Sequence, residues 1–184
     1  MNADPYTLPE DLPVPEDDGA ADHLTGSAMP DLELPSSQGP VSVRDFEVLY
    51  VYPRAGGPGR PMPPGWDAIP GARGCTPQSC AFRDHSAELA ALGARVAGLS
   101  AQTLDDQIEF AERNRMPFPV MSDERLELAR RLALPTFEVE GLTLYKRLAL
   151  VAEDGVIVKV FYPVFPPDRN AADVVAWLRE QRSE

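Results

Sequence analysis

The chain has little of what metal centres and disulfide scaffolds are built from. Its 184 residues include two cysteines and two histidines. Two cysteines do not make a disulfide framework, and His23 and His85 lie too far apart in sequence to suggest a zinc site. No apolar run approaches the roughly 20 residues that a membrane helix requires. The N-terminus has neither the basic start nor the apolar core of a secretory leader. These gaps lead to the expectation of a soluble protein in the reducing cytoplasm, where a functional cysteine pair has to cycle between redox states.

Basic residues are missing from one whole end. No Lys or Arg precedes Arg44, and that stretch carries nine Asp or Glu. The net charge of −12 argues against a nucleic-acid partner, which normally meets a basic footprint. Asp4, Glu10, Asp11, Glu16, Asp17, Asp18 and Asp22 sit among prolines and small residues. Such a composition buries too little apolar surface to offset its ordering entropy. Residues 1–24 are therefore expected to form an acidic, proline-rich mobile tail, with residues 25–184 making one compact domain.

Within the domain, Met29 to Pro35 alternates briefly, as an outer strand does. Phe46-Glu-Val-Leu-Tyr-Val-Tyr52 is a nearly continuous β-branched and aromatic run, the pattern of a buried central strand that Pro53 ends. Residues 54–74 are crowded with Gly and Pro and read as a long irregular loop, functional or disordered. A helical pattern begins at Pro77, with Phe82, His85, Leu89 and Leu92 on one face and Gly93 as its stop. Arg95 to Leu99 reads as a strand, and Thr103-Leu-Asp-Asp106 as a capping box opening a helix to about Asn114. Phe118 to Met121 is a short strand, followed by a helix capped by Ser122 or Asp123. Leu148–Val151 and Val156–Val160 flank Asp154-Gly155, a hairpin signal. Asn170 is expected to cap a final helix. This order predicts a thioredoxin-like α/β fold with a central mixed sheet flanked by helices.

Chemistry concentrates at Cys75, where the glycine-rich loop gives way to the helix in Gly74-Cys-Thr-Pro-Gln-Ser-Cys80. A helix start offers unpaired N–H groups and the positive end of a dipole, which favour a thiolate. Arg73 adds local positive charge. Pro77 suits a first helical position, which makes Thr76 the expected cap with Cys75 just outside. Cys80 stands five residues on, and an activated sulfur with a second thiol nearby is what peroxide-reducing thiol chemistry needs. The bland alternatives are a buried small hydrophobe at Cys75 and an inert helix-face thiol at Cys80.

Tyr52-Pro53, Gly74-Cys-Thr76, the Cys-x4-Cys spacing and Phe82-Arg-Asp84 together resemble a peroxiredoxin of the Q type, also called bacterioferritin comigratory protein. Phe118-Pro-Val-Met-Ser-Asp123 and Lys146-Arg147 before the Asp-Gly hairpin fit the same group. The resemblance covers roughly residues 30–178 and rests on the order and spacing of its motifs. It implies a peroxidatic Cys75, a resolving Cys80, and an Arg147 that holds thiolate and peroxide. It also implies a thioredoxin-type reductant and no metal or organic cofactor; oligomeric state stays open, with a monomer preferred because this group often resolves within one chain. Both sulfurs on one regular helix would lie about 7.5 Å apart along the axis and about 140° apart around it. That exceeds disulfide reach, so the implied bond requires the helix to unwind.

One departure stands out. The group usually has Pro-x3-Thr/Ser-x2-Cys, and here the hydroxyl position is Ala72 and the proline position Ala68. Pro53 lies 22 residues before Cys75, so about 15 residues are inserted. Thr76, Tyr52 or backbone N–H groups are candidates to replace the hydroxyl, and Arg83 with Asp84 is a candidate charge network below the site. Trp66 and Asp67, in the inserted loop, are candidates to cover the site or meet a partner. Hydrogen peroxide and organic hydroperoxides remain open as substrates. So do two rival functions: a non-enzymatic redox sensor or interaction module, and a disulfide reductase. The reductase normally carries Cys-x-x-Cys, which is missing here.

Overall fold

The computed structural model describes residues 4–183. Its main sheet has five strands, ordered from edge to edge as Val120–Ser122, Val96–Ser100, Val48–Val51, Leu148–Glu153 and Val156–Phe161. Strands β3 (Val48–Val51), β4 (Val96–Ser100) and β5 (Val120–Ser122) run parallel, as their helical crossovers require. Strand β8 (Leu148–Glu153) is antiparallel to β3, and β9 (Val156–Phe161) folds back on β8 through the Asp154-Gly155 turn. A two-stranded pair, β1 (Glu33–Leu34) with β2 (Val41–Ser42), lies outside this sheet.

Alternation along β3 divides the core. Val48, Tyr50 and Tyr52 join the layer formed by α1 (Cys75–Asp84), α2 (Ser86–Ala91), α3 (Leu104–Arg113) and α5 (Asn170–Arg182). Leu49 and Val51 face the opposite layer, with Leu128 and Leu132 of α4 (Glu127–Leu132) and Leu24, Met29 and Leu34 from the N-terminal region. Phe82, Leu89, Val174 and Leu178 are fully buried in the first layer. Each such side chain contributes about 1.5–3 kcal/mol of burial.

Several local expectations meet a different arrangement. The acidic segment expected to be a mobile tail is packed along the domain. Leu24 is fully buried, His23 Nε2 lies 2.8 Å from the Leu132 carbonyl, and Asp18 pairs with Lys146 at 3.0 Å and accepts from Tyr162 Oη at 2.8 Å. Leu24 and the Asp18 carboxylate find partners on the body, which composition alone does not reveal. Helix α1 starts at Cys75 with Gly74 as its cap, rather than with Thr76 as cap. Gly74 has φ of 117°, and a Cβ there would stand 2.6 Å from Pro167, so α1 begins at the first residue after this glycine. Asn170 is the first residue of α5 and not its cap, because a 3-10 turn over Pro167–Arg169 precedes it. A hairpin the sequence reading did not place, β6 (Thr136–Val139) with β7 (Leu142–Tyr145), stands apart from the main sheet.

Candidate active site

Cys75 occupies the first turn of α1 and is 3% exposed. The first intrahelical bond there runs from the Gln78 N–H to the Gly74 carbonyl at 3.0 Å. The N–H groups of Cys75 and Thr76 therefore lie ahead of the helical ladder, and Pro77 has none to place. Arg147, just before β8, brings its guanidinium into this turn. Its Nη2 stands 3.2 Å from Cys75 Sγ and donates to the Ala72 carbonyl at 2.8 Å. Positive potential from the guanidinium and from the helix end converges on the sulfur.

Position 72 offers the sulfur no side-chain hydroxyl, and its part in this contact is played by the backbone. The backbone carbonyl of Ala72, not a side chain, anchors the arginine beside the sulfur. Thr76 is buried next to Cys75, and its hydroxyl makes no side-chain hydrogen bond among the described residues. The Tyr52 hydroxyl is directed elsewhere and donates to Gln107 Oε1 at 2.8 Å. Burial holds the Tyr52 phenol well above the ordinary tyrosine range.

Two residues that sequence reasoning missed complete the arginine's setting. Gln78 Oε1 accepts from Arg147 Nη1 at 2.6 Å, while Gln78 Nε2 donates to Asn170 Oδ1 at 3.0 Å. All three side chains are buried. A polar Gln three residues after Cys75 on the same helix was the available signal; the meeting with Asn170, 92 positions away, had none. Arg147 Nε is buried without a partner among the described residues.

Cys80 lies on the same helix but in different surroundings. Its Sγ is 3.8 Å from Asn114 Oδ1, which also accepts from Tyr6 Oη of the N-terminal segment at 3.1 Å. Partial burial pushes the Cys80 thiol above the ordinary cysteine value. Arg83 belongs to this neighbourhood and not to that of Cys75. It donates to the Asn114 carbonyl at 2.8 Å and pairs with Asp84 at 3.0 Å. Both cysteines are free thiols.

The inserted residues 54–74 carry a single 3-10 turn, Trp66–Ala68, and border a cleft of about 740 Å3. Cys75 and Thr76 line it together with Arg54, Met62, Trp66 and Arg73. Arg73 pairs with Asp67 at 3.0 Å, and Trp66 is buried against Ala72 and Leu144. Among the described residues no cluster of His, Cys, Asp and Glu could hold a metal ion, and no helix is long and apolar enough to cross a membrane.

Known proteins resemble this chain in sequence and in fold. Residues 24–176 match the Redoxin family. A putative peroxiredoxin of Mycobacterium tuberculosis is 31% identical over 166 residues, covering 86% of this chain and 98% of that protein. The chloroplastic peroxiredoxin Q of Sedum lineare is 28% identical over 159 residues, covering 84% of this chain and 77% of its own. The chloroplastic peroxiredoxin Q of Oryza sativa subsp. japonica is 27% identical, and there the match spans 66% of its own length. The crystal structure of peroxidoxin BcpB from Mycobacterium tuberculosis superposes with a TM-score of 0.69 at 29% identity, covering 86% of this chain and 98% of that one. From family, relatives and fold together, the chain belongs to the Redoxin family, as a peroxiredoxin of the Q or bacterioferritin comigratory type, and is a thiol-dependent peroxidase.

Proposed function

We propose that Cys75 is the peroxidatic nucleophile, Cys80 the resolving thiol and Arg147 the residue that holds the reacting oxygens. The observation that carries this reading is the 3.2 Å approach of Arg147 Nη2 to Cys75 Sγ in the first turn of α1. The Cys75 thiolate attacks the terminal peroxide oxygen. An S–O bond forms as the O–O bond breaks, sulfur loses two electrons, and the departing oxygen takes a proton to leave as water or an alcohol. Charge grows on that oxygen as the bond breaks, and Arg147 and the leading N–H groups of α1 are placed to meet it.

Cys80 then attacks the sulfenic sulfur, and an S–S bond replaces S–O with loss of water. Both sulfurs sit on α1, five residues apart, so this step needs the helix to unwind locally. A thioredoxin-type dithiol returns the disulfide to two thiols. Resolution between two sulfurs of one helix suits a monomer, and recycling by a dithiol suits a reducing compartment such as the cytoplasm.

Intact mass after brief exposure of the reduced protein to one equivalent of hydrogen peroxide tests the assignment. Loss of two hydrogens is expected, abolished in C75S. In C80S, the sulfenic acid should persist as a gain of one oxygen. Oxidation of C75S at the wild-type rate would overturn it.

A further inference from the structure

The N-terminal segment is anchored at two places around the start of α1. Arg73, just before the helix, donates through Nη2 to the backbone carbonyls of Asp4 at 2.8 Å and Thr7 at 3.1 Å. Leu8 packs at the next residue, where its Cδ2 lies 3.1 Å from the place a Cβ on Gly74 would take. The second anchor is Asn114, whose Oδ1 accepts from Tyr6 Oη at 3.1 Å and lies 3.8 Å from Cys80 Sγ. Asn114 is buried, donates to the Phe110 carbonyl at 3.0 Å, and receives Arg83 on its own carbonyl at 2.8 Å. Tyr6 itself is 51% exposed, so burial does little to hold it there.

These anchors bracket the residues that have to move. Residues 4–8 contact positions 73 and 74 on one side of Cys75 and the neighbour of Cys80 on the other. The spacing between the anchors is fixed only while residues 75–80 are helical. Closing a Cys75–Cys80 bond unwinds that stretch and takes Cys80 away from Asn114. The segment can then keep one anchor and not both. A group that docks on one of two states stabilises that state by its docking free energy, and the coupling is reciprocal.

We propose that residues 4–8 form a strap that docks on the dithiol form alone and so makes the Cys75–Cys80 disulfide easier to reduce. Docking favours the dithiol and raises the reduction potential of the pair; oxidation in turn releases the segment. Tyr6 and Leu8 are positioning residues that act through the helix, and neither lines the cleft at Cys75. The inference rests on Cys75 and Cys80 forming the disulfide. The equilibrium it shifts is exchange with an external dithiol–disulfide couple. The two protein thiols pass two electrons and two protons to the oxidised partner, one S–S bond forms and the other breaks.

The test equilibrates the wild-type protein and Y6A/L8A in buffers of oxidised and reduced dithiothreitol, with the disulfide fraction read by intact mass after acid quench and thiol alkylation. Y6A/L8A is expected to favour the disulfide about tenfold more, a potential about 30 mV more negative for a two-electron couple. Stopped-flow oxidation of Cys75 by hydrogen peroxide should be unchanged in the variant. Chymotrypsin supplies a measurement without substitution. Its cleavage after Tyr6 should be about tenfold faster in oxidised than in reduced wild-type protein, because cleavage follows the population of the released form. Equal equilibrium constants in the two proteins, or equal cleavage of the two redox forms, would overturn the strap while leaving the disulfide in place. A wild-type protein that forms no Cys75–Cys80 bond with peroxide would remove the reading of the two thiols and this inference with it. The cleavage ratio decides the matter even if Y6A/L8A does not fold.

Discussion

Arg147 reaches Cys75 across 72 positions of sequence, with Nη2 3.2 Å from Sγ. The contact is set from both sides. Cys75 is fixed by the start of α1 after Gly74, and Arg147 by its place immediately before β8, the strand that pairs with β3. Gln78 and the Ala72 carbonyl then hold the guanidinium by separate nitrogens.

Removing that guanidinium should slow the first chemical step. R147M is expected to lower the second-order rate constant with hydrogen peroxide by about 100- to 1,000-fold, the range for losing a key charge-stabilising donor. R147K keeps the charge but not the planar fork and should recover only part. Stopped-flow oxidation under pseudo-first-order conditions gives the number; a loss below threefold in R147M would sink the role.

Gln78 acts through Arg147 and not on the peroxide. Q78L is expected to reduce the same rate constant by about tenfold and to cost about 1–3 kcal/mol of stability, since it leaves Arg147 Nη1 and Asn170 short of partners. The discriminating readout is a double-mutant cycle. With R147M already present, Q78L should add almost nothing to the rate loss, as expected for residues that share one interaction. Full additivity would mean that Gln78 is only structural.

Oxidation should melt the start of α1. Cys75 and Cys80 share this helix, and a disulfide cannot close across five regular residues. Amide exchange over residues 75–84 is expected to be protected in the reduced protein and fast in the oxidised one. The Asn114 bridge between Cys80 and Tyr6 should break at the same time, so Tyr6 belongs to the region that loosens. Equal protection in the two states would rule out a Cys75–Cys80 bond.

The N-terminal segment is tied to the body by the Asp18 carboxylate, and that contact depends on pH. Hydrogen bonds from Tyr162 and then from Lys146 lower Asp18 from 3.8 to about 2. A group lowered in the folded state stabilises the contact above its unfolded value and stops doing so as pH falls through its folded one. The contact is thus complete above pH 4 and opens as pH drops towards 2. Carboxyl carbon NMR should place the Asp18 midpoint near 2, and Y162F should raise it. An unchanged midpoint in Y162F would show that the Tyr162 contact is not what holds it.

Much of the frame was legible because its signals are local. The run from Phe46 to Tyr52 contains β3, Asp154-Gly155 turns β8 into β9, and Thr103 accepts from the Asp106 N–H at the start of α3. The β6–β7 hairpin carries an equally local signal: Glu140-Gly141 has the positive φ pair, 51° and 75°, of a tight turn between alternating runs. Tyr145 illustrates a different limit. Simple alternation puts it on the same side as Arg147 and Ala149, yet Tyr145 packs in the opposite layer from Ala149. The chain breaks register at Lys146-Arg147, where β7 leaves the small hairpin and β8 enters the main sheet.

The sequence by itself determined where a reactive sulfur could stand, since a glycine followed by Cys-Thr-Pro can open a helix but not continue a strand. It also determined the order of the main-sheet strands, because periodicity and turn chemistry act over a few residues. Only the tertiary structure decided what surrounds that sulfur. Arg147, Gln78 and Asn170 meet through three separate elements, and the acidic segment that composition marks as unable to fold finds its partners on a surface that the rest of the chain has to build first. Those contacts depend on packing between distant residues, and no local pattern carries that information.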